Sequence, residues 1–310
     1  MDNEGLTLDK KKELIAKGAN KEEWLAAGFN ELQWIEIKHG MNNGINVLYY
    51  ADTCFDASQM KSIRLGLEEG LEVSVFADSD YDYLQMEEIK AAMRDNLDLT
   101  EMCNPKFSHD VMREIRLSYG YNFDMTKLAN EGYSGAILRQ IRLSKKDDVD
   151  ILFFVKEDYD EYQINELRLG IVHCVDITEY MLHEFTGDQM EQIRLGLEAG
   201  VDVSLYKLIG FSSGQMKQIR LGLEAGIDVS DYADPFVDAV EMKRMREALE
   251  SGGSSDGELS ELQSQEIILG LQSGVDVSLY ADIRYTFKQM EAIRIRLERG
   301  EDVSELLAYA

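Results

Sequence analysis

Six arginines, Arg64, Arg116, Arg142, Arg168, Arg194 and Arg220, stand at multiples of 26 residues from one another. Lys12, Lys38, Lys90 and Arg246 fall in the same register, Arg294 resumes it after a four-residue shift, and Ile268 interrupts it. A row of cations at fixed spacing can do one of two things. It can grip an anionic ligand along a surface, or it can pair with carboxylates and hold the chain together. Acids stand ready for the second role: a Glu four residues on, as Glu198 follows Arg194, or the aspartate of a following loop. The structural use ranks first and the ligand-binding stripe second.

Other side chains with reactive potential are sparse. His39, His109, His173 and His183 are scattered, and the spacing of His173, Cys174 and His183 matches no zinc pattern. Cys103 replaces a small alanine of the repeating unit, which suggests packing rather than nucleophilic work. No GxGxxG, P-loop, HExxH or GxSxG occurs. Paired acids abound, as expected in a chain with 59 of them. The expectation is a protein without catalysis, metal or cofactor. Where the regular pattern drifts, roughly 112–185, Lys145 and Lys146 stand in SKKDD, and Tyr119, Tyr121 and Tyr133 lie near in sequence. Simple drift of the repeat ranks first there, and a specialised binding surface is the alternative.

What positions these residues is an internal repeat. QMEQIRLGLEAGVDVSLY at 189–206 returns as QMKQIRLGLEAGIDVSDY at 215–232. Anchored on Met190 and stepped by 26, twelve units cover the chain from Leu8 to Met290, the eleventh starting four residues early at Ser264. Apolar residues at offsets 0, 3 and 7 from the anchor form one helical stripe; a Leu at offset 5 faces elsewhere, so the helix is sandwiched between neighbours. Four residues before the last eleven anchors stands an N-cap residue (Asn30, Asp56, Asp82, Ser108, Ser134, Asp160, Thr186, Ser212, Asp238, Ser260 or Thr286), usually with Gln or Glu three on as a capping box. An aromatic such as Phe55, Phe185 or Phe211 precedes most caps and can staple onto the anchor. Gly44, Gly70, Gly200, Gly226, Gly274 and Gly300 end the helix, and an acid two residues later, as in Asp202, caps a second, short helix.

These signals predict an all-α fold: one α-solenoid spanning 1–310, built of about twelve 26-residue repeats, each a long helix of ~13 residues, a tight glycine turn and a short helix. A leucine-rich-repeat horseshoe is the rival, with VDVSLY as a strand. It is disfavoured because the third position of that segment is often charged, as at Glu101, Lys127 and Glu179. ESGGSSDGELSE at 250–261 loses the short element and is a candidate hinge or loop.

The chain carries a net charge of −27, from 59 acids and 32 bases. Such a surface repels phosphate backbones and anionic lipid, which argues against direct nucleic-acid or membrane binding and for a basic partner. The N-terminus lacks a signal-type apolar run, and no stretch is long and apolar enough to span a membrane. Cys54, Cys103 and Cys174 are odd in number and far apart, as expected of free thiols in the cytoplasm.

The unit resembles short, acidic tandem repeats of the form QMxQIRLGLExGxDVSxYAD in uncharacterised proteins of anaerobic gut bacteria, often on mobile elements. The resemblance implies a helical-repeat protein and carries over no catalytic residue. The early stretch KKKELIAKGANKEEW departs from it and reads as a polar cap. The expected function is non-enzymatic protein binding, as scaffold or adaptor. The alternatives are an acidic mimic of nucleic acid that inhibits a DNA- or RNA-binding enzyme such as a defence nuclease, and a sponge for small anions that uses the arginine row.

Overall fold

The 26-residue spacing reappears as helix starts. The computed structural model describes residues 6–121, 123–250, 259, 261–282, 285 and 287–307. All regular structure among these residues is helical, with no strand. None of the described helices is long and apolar enough to cross a membrane. Contacts divide the chain into two compact units, Met1–Asp150 and Ile151–Ala310.

The first unit holds α1 (Leu8–Ala16), α2 (Lys21–Ala26), α3 (Glu31–Asn42), α4 (Ala57–Glu68), α5 (Tyr83–Arg94), α6 (His109–Ser118), α7 (Met125–Asn130) and α8 (Gly135–Lys146). The second holds α9 (Leu152–Lys156), α10 (Glu161–Val172), α11 (Gly187–Ala199), α12 (Ser213–Glu224), α13 (Ala239–Glu250), α14 (Glu261–Ser273), α15 (Phe287–Glu298) and α16 (Ser304–Leu307). Long helices pack in chain order: α3, α4, α5, α6 and α8 in one unit; α10 to α13, and α14 against α15, in the other.

Each long helix starts where the caps predict. In α11, Thr186 accepts from the Gln189 N–H while the Gln189 side chain accepts from the Thr186 N–H. The same reciprocal box closes at Asn30, Asp56, Asp82, Asp160 and Ser212. Ser260 and Thr286 lie outside the described residues. The stops also agree: Gly44, Gly70, Gly200, Gly226, Gly274 and Gly300 have φ of 70–76°, a left-handed backbone that glycine adopts without strain. Asn96, Asp148 and Cys174 hold the same turn with a side chain.

Anchor and third-position residues, such as Met60, Ile63, Met190 and Ile193, are fully buried. So is a second stripe on the same helices that is polar and small: Gln189, Gln192 and Gly196 in α11. Both sides of the helix are therefore covered, but the second side is this polar and small stripe; the Leu at offset 5, as Leu65, Leu143 and Leu195, is only half-buried.

The second element is tighter than expected. Val47–Tyr49, Val73–Val75, Ile177–Glu179, Val203–Leu205 and Val277–Leu279 are single 3-10 turns, while α7 and α9 are short α-helices. The loop acid does cap the turn: Asp202 accepts from the Ser204 N–H at 3.0 Å and its hydroxyl at 2.6 Å. The helix stops after three residues because Tyr206 must swing inward, and its backbone leaves the helical region at φ −140°. At α9 the expected cap Asp150 gives way to Ile151, which makes no side-chain cap bond. The strand alternative fails: Val203 is buried but Leu205 is exposed, so they share no inward face. The candidate hinge at 250–261 lies, but for Glu250, Leu259 and Glu261, outside the described residues.

Candidate interaction surface

The arginine row sits at the edge of the apolar stripe, where a long side chain can reach back to the preceding helix. Arg64 Nε donates to Glu36 at 2.9 Å, and its Nη1 donates to Glu68 at 2.7 Å. Arg142 reaches Glu114 at 2.6 Å, and Arg194 reaches Glu166 at 2.7 Å and also Glu198. Arg116 bonds Glu88 at 3.0 Å. Arg220 donates to Gln192 at 3.2 Å and pairs with Glu224. Arg168, also buried, donates to Asn165 at 3.1 Å. Outside the original six, Arg294 repeats the pattern with Glu266 at 2.8 Å and Glu298 at 2.7 Å.

The Glu four residues on is thus a partner, as read from the sequence. The loop aspartate two residues after the stop position is not the partner for Arg64, Arg142, Arg194 or Arg220, and the aspartate that Arg116 reaches is Asp95, at the end of α5, at 3.5 Å. They use instead the residue two places after the previous anchor (Glu36, Glu88, Glu114, Glu166 or Gln192). Asp98, Asp176, Asp202, Asp228 and Asp276 instead cap the turn that follows them. Where that acceptor position holds Ser62, the row carries Lys90, whose buried ammonium bonds the Ser62 carbonyl at 3.1 Å and pairs with Glu87 at 2.6 Å. Ile268, the interruption, falls where the preceding helix has Arg244 at the acceptor position. Hydrogen bonds from Asn43 and Arg64 hold the Glu68 carboxyl below the usual range. Burial pushes Glu198 up, but His173 and Arg194 outweigh it and the net shift is downward.

The central cluster is partly assembled. Tyr119 and Tyr121 lie on a 3-10 turn after α6 and are partly exposed. A cleft of about 350 Å³ opens there, lined by Asp98, Thr100, Glu101, Tyr119, Phe123 and Asp124 among others. The Tyr119 hydroxyl donates to the Asp98 carbonyl. Burial, then the nearby Asp98 and Glu101 carboxylates, raise its pKa. Lys145 lies 5.2 Å from the Phe123 ring centroid, a cation–π contact. Lys146 is exposed, and neither it nor Tyr121 lines the cleft. Three carboxylates and two aromatic rings suit a cationic side chain and oppose a phosphate.

The reactive side chains have separate partners. His173 Nδ1 lies 2.6 Å from Glu198, whereas His183 stacks on Tyr159 at 3.9 Å and bonds the Glu157 carbonyl at 2.7 Å. Cys174 holds the left-handed turn at φ 58°. Burial pushes the Cys103 thiol pKa up, away from nucleophilic reactivity. No group of three or more His, Cys, Asp or Glu able to hold a metal occurs among the described residues.

Two structural roles escaped the sequence reading. The capping-box glutamine also reaches forward to the next repeat. Gln189 Nε2 donates to the Phe211 carbonyl at 2.7 Å, and Gln33, Gln59, Gln85, Gln163 and Gln263 bond Phe55, Tyr81, Phe107, Phe185 and Tyr285 likewise. An amide can accept in the cap and donate across the gap, whereas an ionised carboxylate can only accept, which explains Gln over Glu. The mid-helix glycine of RLGLE makes room for a tyrosine. A Cβ on Gly196 would lie 1.8 Å from the Tyr206 Oη, which donates to the Gln192 carbonyl at 3.1 Å. The detectable signal was the pairing of these positions within the chain: Gly40 with Tyr50, Gly170 with Tyr180, Gly222 with Tyr232, but Ala92 with Met102.

Comparison with known proteins returned no match: no family model, no curated protein and no solved structure matches the chain.

Proposed function

We propose that the chain is a non-enzymatic helical-repeat binding protein, an α-solenoid of twelve 26-residue units across 1–310 that takes a protein partner with a basic surface. The arginine row carries this reading. Its guanidinium groups are bound to carboxylates and amides of neighbouring helices, so they are withdrawn from ligand binding. The charge left for the outside is acidic, from a chain of net charge −27. The anion-sponge reading needs those same groups free and loses its footing. The cleft beside Tyr119 offers carboxylates and rings of the kind that receive a lysine or arginine side chain. Three free thiols accord with a reducing compartment, the cytoplasm.

A second reading, mimicry of nucleic acid, draws on one feature. The loop acids Asp98, Asp176, Asp202 and Asp276 recur in the repeat register, each oriented by hydrogen bonds from a Ser or Thr two residues on. Affinity capture from a bacterial lysate, with and without excess DNA, separates the two. A discrete basic partner indifferent to DNA supports the scaffold. A partner displaced by DNA supports mimicry, and the absence of any partner overturns both.

A further inference from the structure

Repeats supply internal controls: the same turn occurs many times, so a side chain that the turn does not need stands out. The loops before α4, α5, α6, α11, α12, α13 and α15 are held by the forward bond of the preceding glutamine. In the second unit Gln163, Gln189 and Gln215 hold three such loops on successive helices, through the carbonyls of Phe185, Phe211 and Val237. The tips of these loops carry Leu182, Leu208, Ile209 and Phe236, which are 47, 53, 58 and 98% exposed. The last two loops are neighbours, since a Cβ on Gly210 would lie 3.9 Å from Pro235.

In the first unit the same tips are polar: Asp78, Ser79 and Asp80 in one loop, Asn104 and Lys106 in the next. Residues 104–106 (Asn-Pro-Lys) and 234–236 (Asp-Pro-Phe) form the same turn. Lys106 N–H donates to the Asn104 side chain at 3.1 Å, and Phe236 N–H to the Asp234 side chain at 2.9 Å. Gln85 bonds the Pro105 carbonyl at 3.0 Å, and Gln215 bonds the Pro235 carbonyl at 2.9 Å. The turn is indifferent to whether its tip is lysine or phenylalanine. Phe236 is nonetheless presented to solvent on a backbone fixed from both sides.

We propose that this loop edge of the second unit, centred on Phe236 with Leu182, Leu208 and Ile209, is a docking surface for a protein segment that combines apolar anchors with lysine or arginine. This rests on the protein-binding reading above and narrows it to one edge. A pre-ordered, exposed aromatic is the kind of residue that serves as a binding hot spot. The charge beside it selects the partner. The flanking charged residues in 182–188, 207–212 and 234–241 are Glu184, Asp188, Asp234, Asp238 and Glu241, with one cation, Lys207, already paired to Glu179. A second copy would bring the same acids and a further net charge of −27, so self-association on this edge is opposed.

The test is selection from a random 16-residue peptide display library with the full chain as bait. Enriched peptides should pair aromatic or aliphatic residues with Lys or Arg. Their affinity should fall at least tenfold on Phe236→Lys, the residue that the equivalent turn carries at 106, and on Leu208→Asp with Ile209→Ser, which copies residues 78 and 79. Thermal unfolding should be unchanged in both variants, and Lys106→Ala should bind like the parent. Basic peptides that bind all variants equally overturn this site while leaving the general reading intact; no enrichment overturns both. Enriched peptides without basic residues, concentration-dependent dimerisation abolished by Phe236→Lys, or binding to phosphatidylcholine vesicles would also overturn the proposal.

Discussion

Glycine inside a helix costs about 1 kcal/mol relative to alanine, so Gly196→Ala would normally stabilise. Here the added methyl meets Tyr206 Oη, and the ring must leave its bond to the Gln192 carbonyl. We expect a net loss of about 1–3 kcal/mol from overpacking, read by chemical denaturation. Gly196→Ala with Tyr206→Met should recover most of it, because Ala92 and Met102 already occupy the equivalent pair of buried positions. The same tyrosines report on pH. Burial, the leading cause, pushes the Tyr232 pKa up to about 12 and raises those of Tyr180 and Tyr206 as well. A folded pKa above the unfolded one means stability is intact below about pH 10, the ordinary tyrosine value. It is lost as pH rises towards the folded value. Denaturation midpoints should fall between pH 9.5 and 12, in step with phenolate absorbance. Phe76, which stands where other units carry tyrosine, contributes nothing to that change.

At the scale of the element, caps, stripes and stop glycines were legible because each involves residues within one turn of each other. The destinations of Gln and Arg were not, because their partners lie 22 and 28 residues away and depend on how helices pack. Two substitutions separate local from inter-repeat roles. Gln189→Glu keeps a good capping residue but removes the donor to Phe211, so a loss of about 1–3 kcal/mol is expected where capping alone predicts none. The deficit should shrink at acid pH, where a protonated Glu can donate again. Arg194→Met leaves Glu166 nearly buried without its cation, and the expected loss is about 3 kcal/mol. Adding Glu166→Met should restore much of it, because no uncompensated buried carboxylate then remains. Paired carboxylates with lowered pKa, Glu68 and Glu198, stabilise the fold above the ordinary carboxylate range. That part is lost as pH falls through their folded values.

For the whole molecule, the repeat both reveals and conceals. It made the all-helical fold readable, because imperfect copies of one pattern average out the accidents of each. It hid function, because the residues that recur are those the helices need for one another. The candidate cleft and the apolar loop edge stand where copies differ, and a difference has no periodicity to announce it. The net charge of −27 belongs to this scale too, and it sets two opposing responses to salt. Exposed like charges 10 Å apart repel by about 0.4 kcal/mol per pair in water, and that repulsion is screened once the Debye length falls below the separation, at about 0.1 M. The arginine pairs between helices are buried or nearly so and screened far less. Surface repulsion is thus the larger salt-sensitive quantity, so the melting temperature should rise from 10 to 500 mM NaCl, and that of Arg194→Met should rise in parallel from a lower start. A melting temperature that falls with salt, with the fall diminished in Arg194→Met, would show that the helix-to-helix pairs are open to solvent and outweigh the acidic surface.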